Sequence, residues 1–282
     1  MPERTILVTG ATDGHGRAVA AELAGRGATV LLHGRDDTRG HEAINDIATR
    51  TGNERLHWLR ADLGSLDQVR DLANKVISGY PRLDGLINNA GIGTTTDGST
   101  KREKSRDGYE LRFAVNYLAG YLLTRLLTSR LRDCAPARIV NVASAGQAPI
   151  NFDDVMLDRD YDGSRAYGQS KLALIMFTID LAEELDARSV TAYCLHPATY
   201  MPTKIVKADG LQPASSLEEG ARATLRLIAD PELDGVTGRY FSGQRETSPH
   251  PQAHDAMARR RLRDLSDQLC ELVPANNRPT EK

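Results

Sequence analysis

Short apolar runs alternate along the chain with longer segments in which apolar side chains return every three or four positions. TILVT (5–9), ATVLLHG (28–34), RLHWLRA (55–61), LDGLINN (83–89), ARIVNVAS (137–144) and SVTAYCLH (189–196) are rich in aliphatic and β-branched residues. Their apolar character is nearly continuous rather than alternating, which predicts strands of a parallel sheet covered on both faces. Between them, 16–26, 38–51, 66–78, 108–132 and 166–187 are predicted helices. In the last of these, Leu172, Ile175, Met176, Ile179 and Leu181 mark an apolar side. Strict β-α alternation implies right-handed crossovers and a doubly wound α/β fold. VTGRYFSG (236–243) is the expected seventh strand at the sheet edge, and 259–272 a final amphipathic helix.

Two stretches break the rhythm. Residues 93–107 are polar and basic and are expected to be a surface loop, whose Lys101, Arg102, Lys104 and Arg106 would face solvent. Residues 197–216, rich in Pro, Thr and Ala, are too long for a plain connection and suggest a lid. With 145–165 they would shape a substrate pocket from Pro149, Phe152, Tyr200, Met201 and Leu211. No repeat or linker interrupts the chain, so a single domain over 1–282 is expected, with a disordered tail at 274–282.

Composition narrows the classes. Hydrophobic residues make up 40% and charged residues 26% of the 282 positions, the balance of a soluble globular protein. A net charge of −2 gives no electrostatic reason to expect nucleic acid as a partner. The 3 cysteines (Cys134, Cys194, Cys270) are widely spaced and show neither a disulfide framework nor a metal-ligand pattern. No run approaches the roughly 18 apolar residues of a membrane span, and the N-terminus enters a strand at once. A cytoplasmic location is the expectation.

The candidate chemistry begins at TGATDGHG (9–16), where Gly10, Gly14 and Gly16 follow the first strand and precede the first helix. Glycines there let a pyrophosphate lie against backbone at a helix N-terminus. An isolated glycine pattern is weak evidence, and the spacing Gly-x-x-x-Gly-x-Gly departs from Gly-x-Gly-x-x-Gly. Further along stand Asp62-Leu63, NNAG (88–91), Asn116 in AVNYLAG, Ser144 in IVNVASA, and Tyr167 and Lys171 in AYGQSK.

This ordered set, spread over residues 4–240, resembles the short-chain dehydrogenase/reductase family of the compact type. The wording of YELRFAVNYLAGYLLTRLL, INFDD and AYGQSKLA is similar to its retinol-dehydrogenase-like branch. The resemblance implies a Rossmann fold of about seven parallel strands and a nicotinamide cofactor. Contacts to that cofactor would come from Gly10, Thr12, Asp13, Gly14, His15 and Gly16, and from Asp62, Leu63, Asn89, Ala90 and Gly91. Pro197, Ala198 and Thr199 would follow on the nicotinamide side. Asn88 would steady the strand ends, and Asn116 would hold a relay water near Lys171, unless it only bends its helix. Two positions depart from the pattern: His15 replaces an aliphatic residue, and LHPATYMPTK, with Ala198, replaces the usual Pro-Gly segment.

Tyr167 and Lys171 lie four apart and share a helix face. An ammonium at about 4 Å with an effective dielectric of about 20 supplies roughly 4 kcal/mol. That equals about three pKa units, enough to bring a phenol from near 10 into working range. Ser144, at the carboxyl edge of the sheet, can donate to a carbonyl oxygen while Tyr167 gives the proton. His196 before Pro197 reads as a structural histidine. At the end of the second strand, Gly34 stands where NAD-preferring relatives place an acid, and counting alone would nominate Asp36. Arg35 beside it can pair with a 2′-phosphate. NADP(H) is therefore expected over NAD(H), with a ketoreductase acting on the carbonyl or secondary alcohol of a small to medium-sized, partly apolar substrate as the reading. A catalytically silent cofactor-binding scaffold and a sugar-nucleotide epimerase are the alternatives. The resemblance also implies a homodimer or homotetramer built on the helices around 108–132 and 165–187, with Gly120, Tyr121, Leu127 and Phe177 in the contact.

Overall fold

A computed structural model of the chain describes residues 1, 3–95 and 101–272. Strands β1 (Thr5–Val8), β2 (Thr29–Gly34), β3 (Leu56–Arg60), β4 (Gly85–Asn88), β5 (Ala137–Val142), β6 (Val190–His196), β7 (Arg239–Ser242) and β8 (Arg245–Glu246) form one sheet. Its order is β3-β2-β1-β4-β5-β6-β7-β8, all parallel except the β7–β8 pair. The sheet therefore has one strand more than expected. β8 is two residues long, folded back after Gly243 (φ 57°), and too short to leave a sequence pattern.

The continuous apolar runs follow from this layering. Leu7, Leu31, Leu86 and Ile139 point to one face, under α3 (Leu66–Gly79), α5 (Ala119–Asp133) and α6 (Gly163–Glu184). Ile6, Val8, Val30, Leu32, Ile87 and Val140 point to the other, under α1 (Gly14–Gly25), α2 (Asp37–Thr51) and α8 (Leu217–Ala229). Alternate side chains on one strand thus both find a core. Chain order reverses between β1 and β4, which opens a crevice at their carboxyl ends.

Helix starts follow their caps. The Asp36 carboxylate accepts from Arg39 N, Asp162 from Arg165 N and Ser216 from Glu219 N. The Asp162 cap starts α6 three residues before its expected onset. The predicted helix over 108–132 is α4 (Leu111–Phe113), a π-helical stretch (Ala114–Leu118) and α5 in succession. Helix α8 is not among the predicted helices, although Ser216-x-x-Glu219 ahead of an apolar run has the form of a capping box. The region 197–216 carries a short helix, α7 (Lys204–Ala208). The tail 274–282 lies outside the described residues.

The last helix, α9 (Ala256–Leu269), lies against α5 and α6. Tyr117 Oη meets Ser266 Oγ at 2.7 Å and Tyr121 Oη donates to Asp267 at 2.6 Å. Arg259, itself buried, pairs with Asp180 at 2.9 Å and Glu183 at 2.6 Å, and Arg263 reaches Asp180 at 2.8 Å. Gly120, Tyr121, Leu127 and Phe177, expected at a subunit contact, are buried inside this chain. Replacing Arg259 with Met leaves Asp180 buried with one partner fewer. We expect a loss of roughly 3 kcal/mol, measured by urea unfolding at neutral pH.

Candidate active site

The carboxyl ends of β1 and β4 are held apart and fixed by two polar side chains. Thr9 Oγ1 donates to Ile87 O and accepts from the amides of Asn89 (2.9 Å) and Ala90 (3.0 Å). Asn89 Nδ2 donates to Thr9 O at 2.7 Å and Gly10 O at 3.2 Å. Asn89 Oδ1 accepts from His15 Nδ1 at 2.8 Å, and His15 Nε2 faces the Thr224 hydroxyl at 3.1 Å. His15, an aliphatic position in the expected pattern, is thus a buried brace between α1, β4 and α8, and burial lowers its pKa. Gly10 has φ +66°, and a Cβ at Gly16 would lie 2.3 Å from Gly10 O, so the turn admits glycine at both positions. Asn88 ties β4 to α5 through Thr124 (2.9 Å) and to β5 through Asn141 (2.8 Å), as expected of a residue steadying strand ends.

Above this turn lies a cleft of about 420 Å³. Gly10, Thr12, Asp13, Gly14, His15, Gly16, Arg35, Asp62, Leu63, Asn89, Ala90 and Gly91 all line it. Pro197, Ala198 and Thr199 do not, and the lid enters instead through Thr203, Lys204 and Ile205. Cations surround the opening: Arg35, Arg39, Lys104, Arg106 and Lys204. In the basic stretch Lys101, Lys104 and Arg106 are exposed as expected of a surface loop, and Lys104, Ser105 and Arg106 also line one end of the cleft. Arg106 N donates to Gly64 O at 2.8 Å, the backbones of Lys104 and Glu110 form an isolated antiparallel bridge, and Arg102, largely covered, pairs with Asp158 at 2.8 Å. Residues 96–100 of that stretch lie outside the described residues. Asp13 caps α1 and pairs with Arg39 and Lys204, each at 3.0 Å. Asp62 Oδ1 accepts from Gly64 N at 2.9 Å, and Asp36 caps α2. A helix N-terminus and converging cations are the donor set an anionic dinucleotide needs, so the residues fit such a cofactor.

His33 and Gly34 end β2 beneath this cleft. Gly10 N donates to His33 Nδ1 at 3.3 Å, and His33 Nε2 donates to Ala61 O at 3.1 Å. The ring is therefore neutral, and burial lowers its pKa to about 4. A Cβ at Gly34 would lie 2.8 Å from both Thr12 Cγ2 and the Trp58 indole. Position 34 is sterically closed to an acid.

The other residues singled out gather at the ends of β4, β5 and α6. Lys171 Nζ, buried, donates to Val142 O at 2.9 Å, and burial lowers its pKa to about 8. It sits 5.7 Å from the Tyr167 ring centroid. Ser144 Oγ accepts from Gly146 N at 3.1 Å and hydrogen-bonds the Tyr167 phenol. Tyr240 Oη holds Ser144 O at 2.9 Å, a support hidden in the apolar β7 segment. Asn116, inside the π-helical stretch, has its side chain engaged by Ile92 N (2.8 Å), Ile92 O (3.1 Å) and Ser170 Oγ (3.0 Å). These bonds tie the π-helical stretch to the segment after β4 and to α6. A Cβ at Gly91 would lie 3.3 Å from Lys171 Nζ and 3.2 Å from Asn116 Oδ1, so its absence lets both reach β4. His196 meets Thr199 Oγ1 at 3.2 Å, beside the lid.

One electrostatic expectation is corrected. The helical spacing predicts that Lys171 lowers the Tyr167 pKa, yet the phenol is raised. Burial is the main cause and the lid carboxylate of Asp209 adds to it, while the Ser144 hydrogen bond opposes both. The ammonium points to Val142 O instead, and its own burial weakens its charge.

With this geometry in place, the chain can be set beside known proteins. The family model for short chain dehydrogenases matches residues 4–213. This chain belongs to the short-chain dehydrogenase family. It is 36% identical to retinol dehydrogenase 13 of Mus musculus over 99% of this chain and 87% of that one. It therefore falls in the retinol-dehydrogenase-like branch. The enzyme is an oxidoreductase acting on CH–OH or C=O with a nicotinamide cofactor. A crystal structure of an uncharacterised protein from Mycobacterium paratuberculosis superposes with TM-score 0.76 at 31% identity, covering 95% of this chain and 93% of that one. A chain from Shigella flexneri, described as a short chain dehydrogenase complexed with NADP, gives 0.68 at 27% identity over 86% and 97%.

The His33 brace carries a sign that can be measured. The unfolded imidazole protonates near 6.5 and the folded one only near 4, so the unfolded chain binds more protons between them. Stability from His33 is complete above pH 6.5 and falls as pH drops toward 4, by up to about 3 kcal/mol. Urea midpoints across that range should fall for the wild type, and His33→Gln should flatten the slope.

Proposed function

We propose that this dehydrogenase is an NADP(H)-dependent carbonyl reductase acting on neutral, small to medium-sized aldehydes or ketones. The observation that carries the reading is the meeting of the Ser144 hydroxyl and a half-buried, protonated Tyr167 phenol beside Lys171, next to a cleft walled by cations. Ser144 donates to the substrate carbonyl oxygen and fixes its direction. Tyr167 Oη gives its proton to that oxygen as the carbon is reduced, and takes it back in the reverse reaction. A bound nicotinamide supplies the hydride. Lys171, buried and aimed at the end of β5, stands where it binds ribose hydroxyls and restores charge beside the phenol. Asn116 is a positioning residue, acting through Ile92 and through Ser170, whose hydroxyl donates to Tyr167 O at 2.7 Å. A phenol raised by burial stays protonated at neutral pH, as a proton donor to a carbonyl must be.

Support for NADP(H) comes from the β2 end. Position 34 excludes the acid that would hold ribose hydroxyls, while Arg35 and Arg39 stand at the rim where a 2′-phosphate would lie. The NADP complex of the Shigella flexneri relative agrees with this reading.

Two measurements decide it. Tyr167→Phe should retain NADPH binding, seen as fluorescence quenching, yet lose about 10²-fold or more in kcat toward any aldehyde the wild type reduces. Unchanged turnover would refute the mechanism. Arg35→Ala should raise the KM for NADPH about tenfold or more, while NADH kinetics barely move. A wild-type preference for NADH would refute the cofactor assignment.

A further inference from the structure

The short helix α7 lies beside the site, with Lys204 at its start, Lys207 in its last turn and Asp209 just past its end. At its start Thr203 packs on Gly14, Lys204 pairs with Asp13 at 3.0 Å, and Ile205 packs on Gly93. Just past its end, Asp209 Oδ1 accepts from the Thr94 hydroxyl at 2.6 Å and the Thr95 hydroxyl at 3.3 Å. The receiving segment is itself fixed, because the buried Arg112 donates to Gly93 O and Thr94 O, both at 2.9 Å, and to Tyr161 Oη at 2.7 Å. Thr94 O also lies against Gly163, one helical turn ahead of Tyr167 on α6. Asp209 is thus held by the Thr94-Thr95 segment, which packs against α6 one turn from the phenol-bearing residue. The same proximity is felt by Tyr167, whose proton the Asp209 charge helps to retain.

We propose that Asp209 is a specificity-determining residue, one whose carboxylate at the mouth turns away carbonyl compounds bearing their own carboxylate and admits neutral ones. This rests on the reductase reading above. Two anions in a partly desolvated mouth repel, and discrimination arises from that unfavourable pairing rather than from a tighter fit to the neutral compound. Thr94 and Thr95 hold the carboxylate so that it cannot swing away from an incoming anion. Asp209→Asn keeps an oxygen acceptor for the two threonines and removes only the charge. Asp209→Glu keeps the charge.

The test uses a matched pair, 4-formylbenzoate and its methyl ester, which differ in charge remote from the same aldehyde. With NADPH at low ionic strength, the wild type should favour the ester in kcat/KM, and added salt should narrow the ratio. Asp209→Asn should lower the ester-to-acid ratio about tenfold, whereas Asp209→Glu should preserve it. A ratio that stays put in Asp209→Asn overturns the proposal. If neither aldehyde is reduced, the reductase reading fails, and binding of the same two compounds to the NADPH-loaded protein decides the role of Asp209. Tighter binding of the acid alone in Asp209→Asn upholds it, and equal affinities in wild type and variant overturn it.

Discussion

The whole site depends on how two parallel strands part. Once β1 and β4 diverge, their last carbonyls and amides lose sheet partners, and each buried one left unpaired would cost free energy. Asn89 and Thr9 answer that need together. The amide of Asn89 takes Thr9 O and Gly10 O, its carbonyl takes His15, and the Thr9 hydroxyl serves two amides beyond β4. The crevice is therefore open because its walls are stitched just below the floor. The glycine turn inherits its shape from that stitching and from the neutral His33 beneath it.

Buried cations follow a related logic. Lys171 and Arg112 direct their charge at main-chain carbonyls, Lys171 tying α6 to the last residue of β5 and Arg112 tying α4 to the segment after β4. Arg112 also has Glu110 at 3.5 Å, both fully buried, a pair that fixes the start of the helix containing Asn116. In Lys171 this arrangement sets a phenol and an ammonium side by side without yet coupling them strongly.

The fold was legible wherever one physical signal dominated. Doubly covered strands such as TILV and TVLLHG show as unbroken apolar runs, and the ordered motifs from TGATDGHG to AYGQSK fixed the family. The two-residue β8 had too few positions for any period. Helix α8 carries a legible signal, the Ser216 cap ahead of an apolar stripe, but it follows a Pro-, Thr- and Ala-rich stretch whose loop character masks where the helix begins. That the exposed loop at 101–107 also borders the cleft was illegible for a different reason: a run of lysine and arginine looks the same on open surface or at the rim of a cleft, and only tertiary placement separates the two. The direction of the Tyr167 shift was hidden likewise, since spacing on a helix fixes which face two residues share but not where a flexible ammonium points.

The closure of position 34 has an evolutionary reading. The Trp58 indole that excludes a side chain there is anchored by its own hydrogen bond to Asp37 at 2.8 Å and lies flat against Gly40. An aspartate at 34 would collide unless the tryptophan shrank first, and a shrunken tryptophan would leave a void until the aspartate arrived. Position 34 is thus guarded by a packing ratchet, where two changes must come in concert and neither is favoured alone.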